Sequence, residues 1–271
     1  MTGKEIRLNS LFGRKAHLLL VPMDHGVTIG PVEGLKNMKE TVKRVARGGA
    51  NGVVVHKGLV KDLGDSLKGS DCQLIVHLSA STVLAPDANR KELVSSVEHA
   101  LRLGATAVSV HVNLGSQYEA TMLKDLGYVS EQCDLWGIPL LAMMYVRDGS
   151  KESEYNPEKI GHAARVAEEV GADIIKVNYT GDIESFKEVT TSVKVPVVIA
   201  GGPKLSSTYE VLKMVYDAME AGAAGISIGR NIFQAANPTP LVKIIRQILD
   251  GNVPESLLST LANKYDDTTL Y

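Results

Sequence analysis

The chain has 271 residues, 44% of them hydrophobic and only 5% aromatic, with a formal charge of -2. Near-neutral charge and few stacking platforms leave no footprint for nucleic acid, and no stretch reaches the roughly 20 apolar residues of a membrane span. Cys72 and Cys133 stand alone without a CxxC spacing, so a reduced, cytoplasmic protein is expected, with packing cysteines in place of a disulfide or zinc scaffold.

Residues 1–16 read as a terminal extension. A first apolar strand follows over 18–23, then an amphipathic helix over 32–47 and a β-branched strand over 52–56. The next unit, 58–69, is short and glycine-rich, and leads to a strand over 73–78 and a helix over 90–103. A strand over 107–111, a helix over 120–136 and a strand over 139–144 come next. Beyond them lie a helix over 157–170, a strand over 173–179 and a helix over 183–193. The last units are a strand over 196–200, a helix over 208–221, a strand over 225–229 and a helix over 240–249. Residues 255–271 read as a second extension.

One phrase punctuates this series: a helix, then Gly-Ala, then a β-branched strand. It occurs at Gly49-Ala50, Gly104-Ala105, Gly171-Ala172 and Gly222-Ala223, where each glycine sits at a helix C-cap position. The doublets lie 55, 67 and 51 residues apart (49 to 104, 104 to 171, 171 to 222), which is room for two βα units of about 30 residues each. Eight strands in strict alternation with helices predict an α/β fold, a closed parallel (β/α)8 TIM barrel, as a single domain over 1–271. An open doubly wound sheet is the alternative, but no GxGxxG follows any strand.

Active sites of such barrels lie at the C-terminal strand ends. The strand ends here are Asp24-His25, His56-Lys57, His77, His111 with Asn113, Tyr145 with Arg147, Lys176 with Asn178, Gly201-Gly202, and Gly229-Arg230. Lys176 stands out because it lies in an otherwise aliphatic strand, where Ile174, Lys176 and Asn178 share one face and Ile175 and Val177 the other. Burial disfavours the charged form of an amine, and a neutral lysine amine attacks ketones and aldehydes. The plain alternative is a lysine that snorkels to a carboxylate or a phosphate. Asp24 and Tyr145 add a proton acceptor and a proton donor, the groups that carbinolamine dehydration and aldol cleavage require. The glycines after strands seven and eight let backbone N–H groups approach an anion, and Arg230 adds a charge, so a phosphorylated ligand is expected there. Histidines closing strands one to four allow a rival zinc site, but no HxH or Cys/His spacing supports it.

These blocks resemble a known family. Met23-Asp24-His25-Gly26, His56-Lys57-Gly58, His111-Val112-Asn113, Met144-Tyr145, Lys176, Tyr179-Thr180-Gly181-Asp182, Gly201-Gly202-Pro203-Lys204 and Gly229-Arg230-Asn231-Ile232-Phe233-Gln234 are together similar to the archaeal-type class I aldolases, over roughly residues 5–250. Within that family the pattern is nearest the 2-amino-3,7-dideoxy-D-threo-hept-6-ulosonate synthase branch. The resemblance implies Lys176 as Schiff-base lysine, Tyr145 as proton donor and Asp24 as acid/base. It implies ligand contacts from His25, Gly26, Val27, Thr28, Val146, Arg147, Gly201, Gly202, Gly229 and Arg230, with no metal and no cofactor. The implied reaction is a transaldol that cleaves a 1-deoxy-hexo-2,5-diulose 6-phosphate and passes a three-carbon enamine to L-aspartate 4-semialdehyde, entering a route to aromatic amino acids. The implied partners are therefore a phosphorylated ketose, an aldehyde and further copies of the chain, up to a ring-based decamer. Fructose-1,6-bisphosphate aldolases share the lysine, tyrosine and phosphate site, and a further relative joins dihydroxyacetone phosphate to aspartate semialdehyde. Val27-Thr28-Ile29-Gly30-Pro31 sits closer to the synthases, whereas Val146 and Asp148 around Arg147 depart from their pattern. A non-catalytic sugar-phosphate binding protein is the alternative of a different class.

Overall fold

A computed structural model describes residues 2–269. Eight parallel strands close into a barrel: β1 (Leu18–Pro22), β2 (Gly52–His56), β3 (Gln73–His77), β4 (Ala107–Leu114), β5 (Leu140–Val146), β6 (Ile174–Asn178), β7 (Val197–Ala200) and β8 (Gly225–Ser227). Each pairs with its neighbours in chain order, and β8 closes on β1 through Leu18, Leu19 and Leu20. Around them run α1 (Thr2–Phe12), α2 (His25–Ile29), α3 (Met38–Gly48), α4 (Lys57–Val60), α5 (Gly64–Leu67), α6 (Val97–Arg102), α7 (Glu119–Trp136), α8 (Pro157–Glu169), α9 (Ile183–Thr191), α10 (Thr208–Glu220), α11 (Arg230–Phe233), α12 (Pro238–Leu249) and α13 (Leu258–Thr269). Among the described residues no helix is long and apolar enough to cross a membrane.

Strand alternation divides the apolar residues into two cores. Leu18, Leu20, Val54, Ile75, Ala107, Leu141, Met143, Ile174 and Val198 fill the inside of the barrel. Their neighbours, such as Leu19, Val53, Val76, Val108, Ala142, Ile175 and Ile199, pack outward against the helices. The four Gly-Ala glycines all have left-handed φ, from +83° to +99°, the conformation that ends a helix at least cost when there is no Cβ.

Four segments differ from the periodicity. The helix expected over 32–47 begins only at Met38, because Gly34 turns through φ +84° and its position is so close to the chain that a Cβ would lie 1.9 Å from the Phe233 carbonyl oxygen. Asn37 then caps the helix by accepting from the Glu40 N–H at 3.3 Å. The helix expected over 90–103 shortens to α6, since Glu92–Leu93 pairs instead with Ser79–Ala80 in a small antiparallel ribbon. The two extensions carry helices, α1 and α13, that pack on the barrel and its helices. In α1, Leu11 is buried against the barrel interior with Leu8 and Phe12 packed beside it, so this helix stoppers the N-terminal end. Its C-terminal carbonyls at Leu11 and Phe12 accept from Asn51 Nδ2 at 3.1 and 3.0 Å, while Asn51 Oδ1 accepts from the Leu19 N–H and from Arg246. At the other end of the chain, α13 packs on α10.

Removing a buried leucine side chain loses transfer energy and leaves a cavity. Leu11→Ala is expected to lower stability by about 2–5 kcal/mol in urea unfolding; a loss below about 0.5 kcal/mol would show α1 to be a loose appendage.

Candidate active site

Inside the barrel the apolar filling stops at one level. Ile174 belongs to it, and Lys176, two residues further along β6, is the next inward-facing side chain, in register with Met143 of β5 and Val198 of β7. Lys176 is only 6% exposed. Among the described residues its amine has no hydrogen-bond or ion-pair partner. It opens into a cavity of about 350 Å³ at the C-terminal end of the barrel, shared with Asp24, Tyr145, Arg147, Gly202 and Arg230. The snorkelling alternative, a lysine paired to a carboxylate, is not what this geometry presents.

Asp24 follows β1 and lies 3.6 Å from His25 Nδ1 and 3.7 Å from His77 Nε2. Burial by itself would raise its carboxyl, but the surrounding His77 and His25 rings and the Lys176 amine outweigh that and hold it well below the usual carboxylate range. Burial also pushes the imidazoles of His25, His56, His77 and His111 down, His77 to about 4. These rings are therefore neutral near pH 7. His77 Nδ1 meets Ser109 Oγ at 2.8 Å, and His111 Nε2 meets Asn113 Oδ1 at 2.8 Å. Among the described residues no group of three or more His, Cys, Asp or Glu side chains is arranged to hold a metal ion.

Tyr145 projects inward from β5, its ring 4.7 Å from that of His111 and 5.3 Å from the Arg147 guanidinium. Arg147 pairs with Glu154, and Asn178 Nδ2 donates to the Glu154 carbonyl at 3.0 Å. The loop after β5 is thereby strapped across β6, bringing Tyr155 to the cavity wall beside Gly202.

Next to this wall lies the glycine cradle. A Cβ at Gly229 would sit 2.6 Å from the Pro22 carbonyl oxygen and 2.8 Å from His25 Cε1, so only glycine fits there. Arg230 Nη2 donates to the Gly202 carbonyl at 2.8 Å, and Asn231 Nδ2 donates to the carbonyls of Gly201 and Pro203 at 2.9 and 3.1 Å. Among the described residues, three buried polar atoms on this side, His25 Nδ1, Ser227 Oγ and Arg230 Nε, have no hydrogen-bond partner.

Of the residues singled out in the sequence, Asp24, His25, Thr28, Tyr145, Arg147, Lys176, Gly201, Gly202, Gly229 and Arg230 line this one cavity. Gly26, Val27 and Val146 do not: Gly26 and Val27 lie exposed on α2, and Val146 alternates to the opposite side of β5 from Tyr145. The cavity also takes in Lys91, Glu154, Tyr155 and Ser227, which strand-end reading passes over.

A model of the DeoC/LacD family aldolases matches residues 18–235. The chain belongs to the DeoC/LacD aldolase family. It is 46% identical over 235 residues to a 2-amino-4,5-dihydroxy-6-oxo-7-(phosphonooxy)heptanoate synthase of Streptomyces griseus, covering 87% of this chain and 85% of that one. It is 45% identical over 253 residues to 2-amino-3,7-dideoxy-D-threo-hept-6-ulosonate synthase 1 of Archaeoglobus fulgidus, covering 93% of each. An archaeal fructose-1,6-bisphosphate aldolase, solved with its catalytic lysine covalently bound to the carbinolamine intermediate of the substrate, superposes with a TM-score of 0.83. It is 31% identical and covers 92% of this chain and all of that one. The fold of the chain is that of the TIM-barrel aldolases.

A histidine buried in the neutral form costs stability on acidification, because the unfolded chain binds a proton that the native state refuses. For His77 the window runs from its ordinary 6.5 down to about 4. Asp24 has the same sign, but its effect begins only as the pH falls into the ordinary carboxylate range. Between pH 7 and pH 5 the native protein is expected to lose about 2 kcal/mol more stability than a His77→Gln variant, from about 1.4 kcal/mol per pH unit. Equal losses in urea titrations at the two pH values would remove His77 as the cause.

Proposed function

We propose that this enzyme is a class I transaldolase of the 2-amino-3,7-dideoxy-D-threo-hept-6-ulosonate synthase type. The observation that carries the reading is the unpartnered amine of Lys176, facing the same cavity as Tyr145, Asp24 and a glycine–arginine cradle. In this reading Lys176 Nζ adds to the C2 ketone of a 1-deoxy-hexo-2,5-diulose 6-phosphate, and the carbinolamine loses water to give an iminium. Asp24 or Tyr145 withdraws the C4 hydroxyl proton, the C3–C4 bond breaks, and its electron pair moves into the iminium to leave an enamine. The phosphorylated three-carbon aldehyde departs. The enamine carbon then bonds to the aldehyde carbon of L-aspartate 4-semialdehyde, the aldehyde oxygen takes a proton from the same pair, and water releases the product from Lys176.

Physical features support these roles. Asp24 is held ionised well into the acid range, so it is available as a base. Arg230 Nε and Ser227 Oγ are buried donors without protein partners, a state that costs roughly 1–3 kcal/mol each unless a ligand satisfies them; a phosphate or a sugar hydroxyl does so. The relative from Archaeoglobus, named a 2-amino-3,7-dideoxy-D-threo-hept-6-ulosonate synthase, supports this reading. The Streptomyces relative supports a second reading, condensation of a phosphorylated three-carbon ketone with the same aldehyde. With the first reading come a place at the entry to an alternative aromatic amino acid route, a homo-oligomer and a cytoplasmic enzyme.

Borohydride reduction with each donor is expected to fix a covalent adduct on Lys176, and Lys176→Ala to lower turnover by at least about 10⁴-fold, by analogy with the loss of other catalytic nucleophiles; retained turnover would refute the lysine's role. The two readings separate when the diulose 6-phosphate and dihydroxyacetone phosphate are each incubated with L-aspartate 4-semialdehyde and the products weighed by mass spectrometry. Product from dihydroxyacetone phosphate alone overturns the first reading in favour of the second.

A further inference from the structure

Lys91 reaches the reaction cavity from a place no barrel strand occupies. It sits on the excursion that follows β3, immediately before the ribbon strand Glu92–Leu93. In the closed ring β3 lies four strands from β7 in either direction. Lys91 therefore enters from the side diametrically opposite the Gly201-Gly202 turn.

The excursion is fixed from several sides. The Val83 N–H donates to the Thr28 carbonyl at 2.9 Å, and Asn113 Nδ2 donates to the Asn89 carbonyl at 2.8 Å. Ser81 Oγ donates to the Ala88 carbonyl at 2.8 Å, which leaves its lone pair to accept from Lys91 Nζ at 2.5 Å. That neutral hydroxyl is the only partner of the Lys91 amine among the described residues, which give it no carboxylate within 4 Å. Burial lowers the pKa of Lys91, Asp24 raises it and Arg147 lowers it further. Of the other two cations of the cavity besides Lys176, Arg147 is paired with Glu154, and Arg230 belongs to the cradle, where its Nη2 donates to the Gly202 carbonyl.

We propose that Lys91 is the anion-binding residue for the acceptor aldehyde, its ammonium pairing with the carboxylate of the incoming substrate on the side of Lys176 away from the glycine–arginine cradle. This inference rests on the function proposed above. A half-buried ammonium on a braced loop, with only a hydroxyl to hold it, gains a charge-assisted hydrogen bond when a carboxylate arrives. The aldehyde is thereby turned with its anionic end towards β3 and its carbonyl towards the enamine on β6. One ammonium cannot favour an uncharged aldehyde in this way, so it discriminates among acceptors without touching the imine chemistry.

The test uses Lys91→Met and Lys91→Arg in the full-length enzyme. Borohydride trapping of hydroxyacetone and of dihydroxyacetone phosphate on Lys176 reports imine formation, and KM for L-aspartate 4-semialdehyde against that for butanal reports acceptor recognition. Lys91→Met is expected to trap within about twofold of the native enzyme, to raise KM for the semialdehyde about 10- to 100-fold, the range of a charged hydrogen bond, and to collapse its preference over butanal by a similar factor. Lys91→Arg is expected to restore most of that preference. An unchanged preference in Lys91→Met overturns the proposal. Loss of trapping in Lys91→Met overturns it also, assigning Lys91 to imine formation. Failure of the native enzyme to trap any ketone refutes the transaldolase reading itself, and the Lys91 proposal falls with it.

Discussion

A closed barrel can hold an amine inside only at the level where its apolar filling ends. Below that level the side chains packed together inside the barrel are Leu, Ile, Val, Ala and Met, and a charge among them would lose its hydration with nothing to replace it. Above it, solvent and the loops take over. Lys176 sits at this boundary, one alternation above Ile174 and in register with Met143 and Val198. The parallel register sets which side chains can surround it: the inward residues of β5 and β6, the ends of β1 and β3, and the turns after β7 and β8. Asp24 and Tyr145 reach it because Met23 and Met144 before them are outward, core-facing residues.

Around this amine the field is made by few fixed charges. Four imidazoles border the cavity or lie beside it, yet burial keeps them neutral, so they act as dipoles and hydrogen-bonding supports. Asp24 is the carboxylate closest to them, and Arg147 is tied to Glu154 from the loop it also shapes. Asn231, buried beneath the cradle, holds the turn after β7 through three backbone hydrogen bonds. Arg230 and the turn after β7 are thus held largely by backbone carbonyls and an amide side chain, groups that do not ionise.

The parts of this arrangement legible in the sequence are those with a local cause. Period-2 alternation exposes Lys176 as the odd inward residue, left-handed glycines mark helix ends, and the Gly201-Gly202 and Gly229-Arg230 turns follow their strands directly. What was not legible depends on distant partners. The two-residue ribbon pair after β3 is too short to have a period, and its loop is held by Thr28 and Asn113 from other units. Helix α3 starts late because Gly34 lies against Phe233, some two hundred residues away. The packing of α1 into the barrel floor rests on Asn51 and, through it, on Arg246. Gly26, Val27 and Val146 come from runs that the resemblance marks as ligand contacts, and they lie outside the residues that line the cavity.

The closed floor bears on the chemistry proposed here. With Leu11, Leu8 and Phe12 packed into the N-terminal end, water and substrates can approach Lys176 only through the C-terminal mouth, and the Arg147–Glu154 strap crosses part of that mouth. An enamine left on the lysine has two fates: a proton adds to its carbon and the donor half is lost, or an aldehyde adds and the transfer is completed. Partition between them is decided by how quickly an aldehyde is bound and oriented relative to the access of water. In the proposed reaction that partition falls to the loops of the mouth after β3 and β5, which carry Lys91 and the Arg147–Glu154 pair.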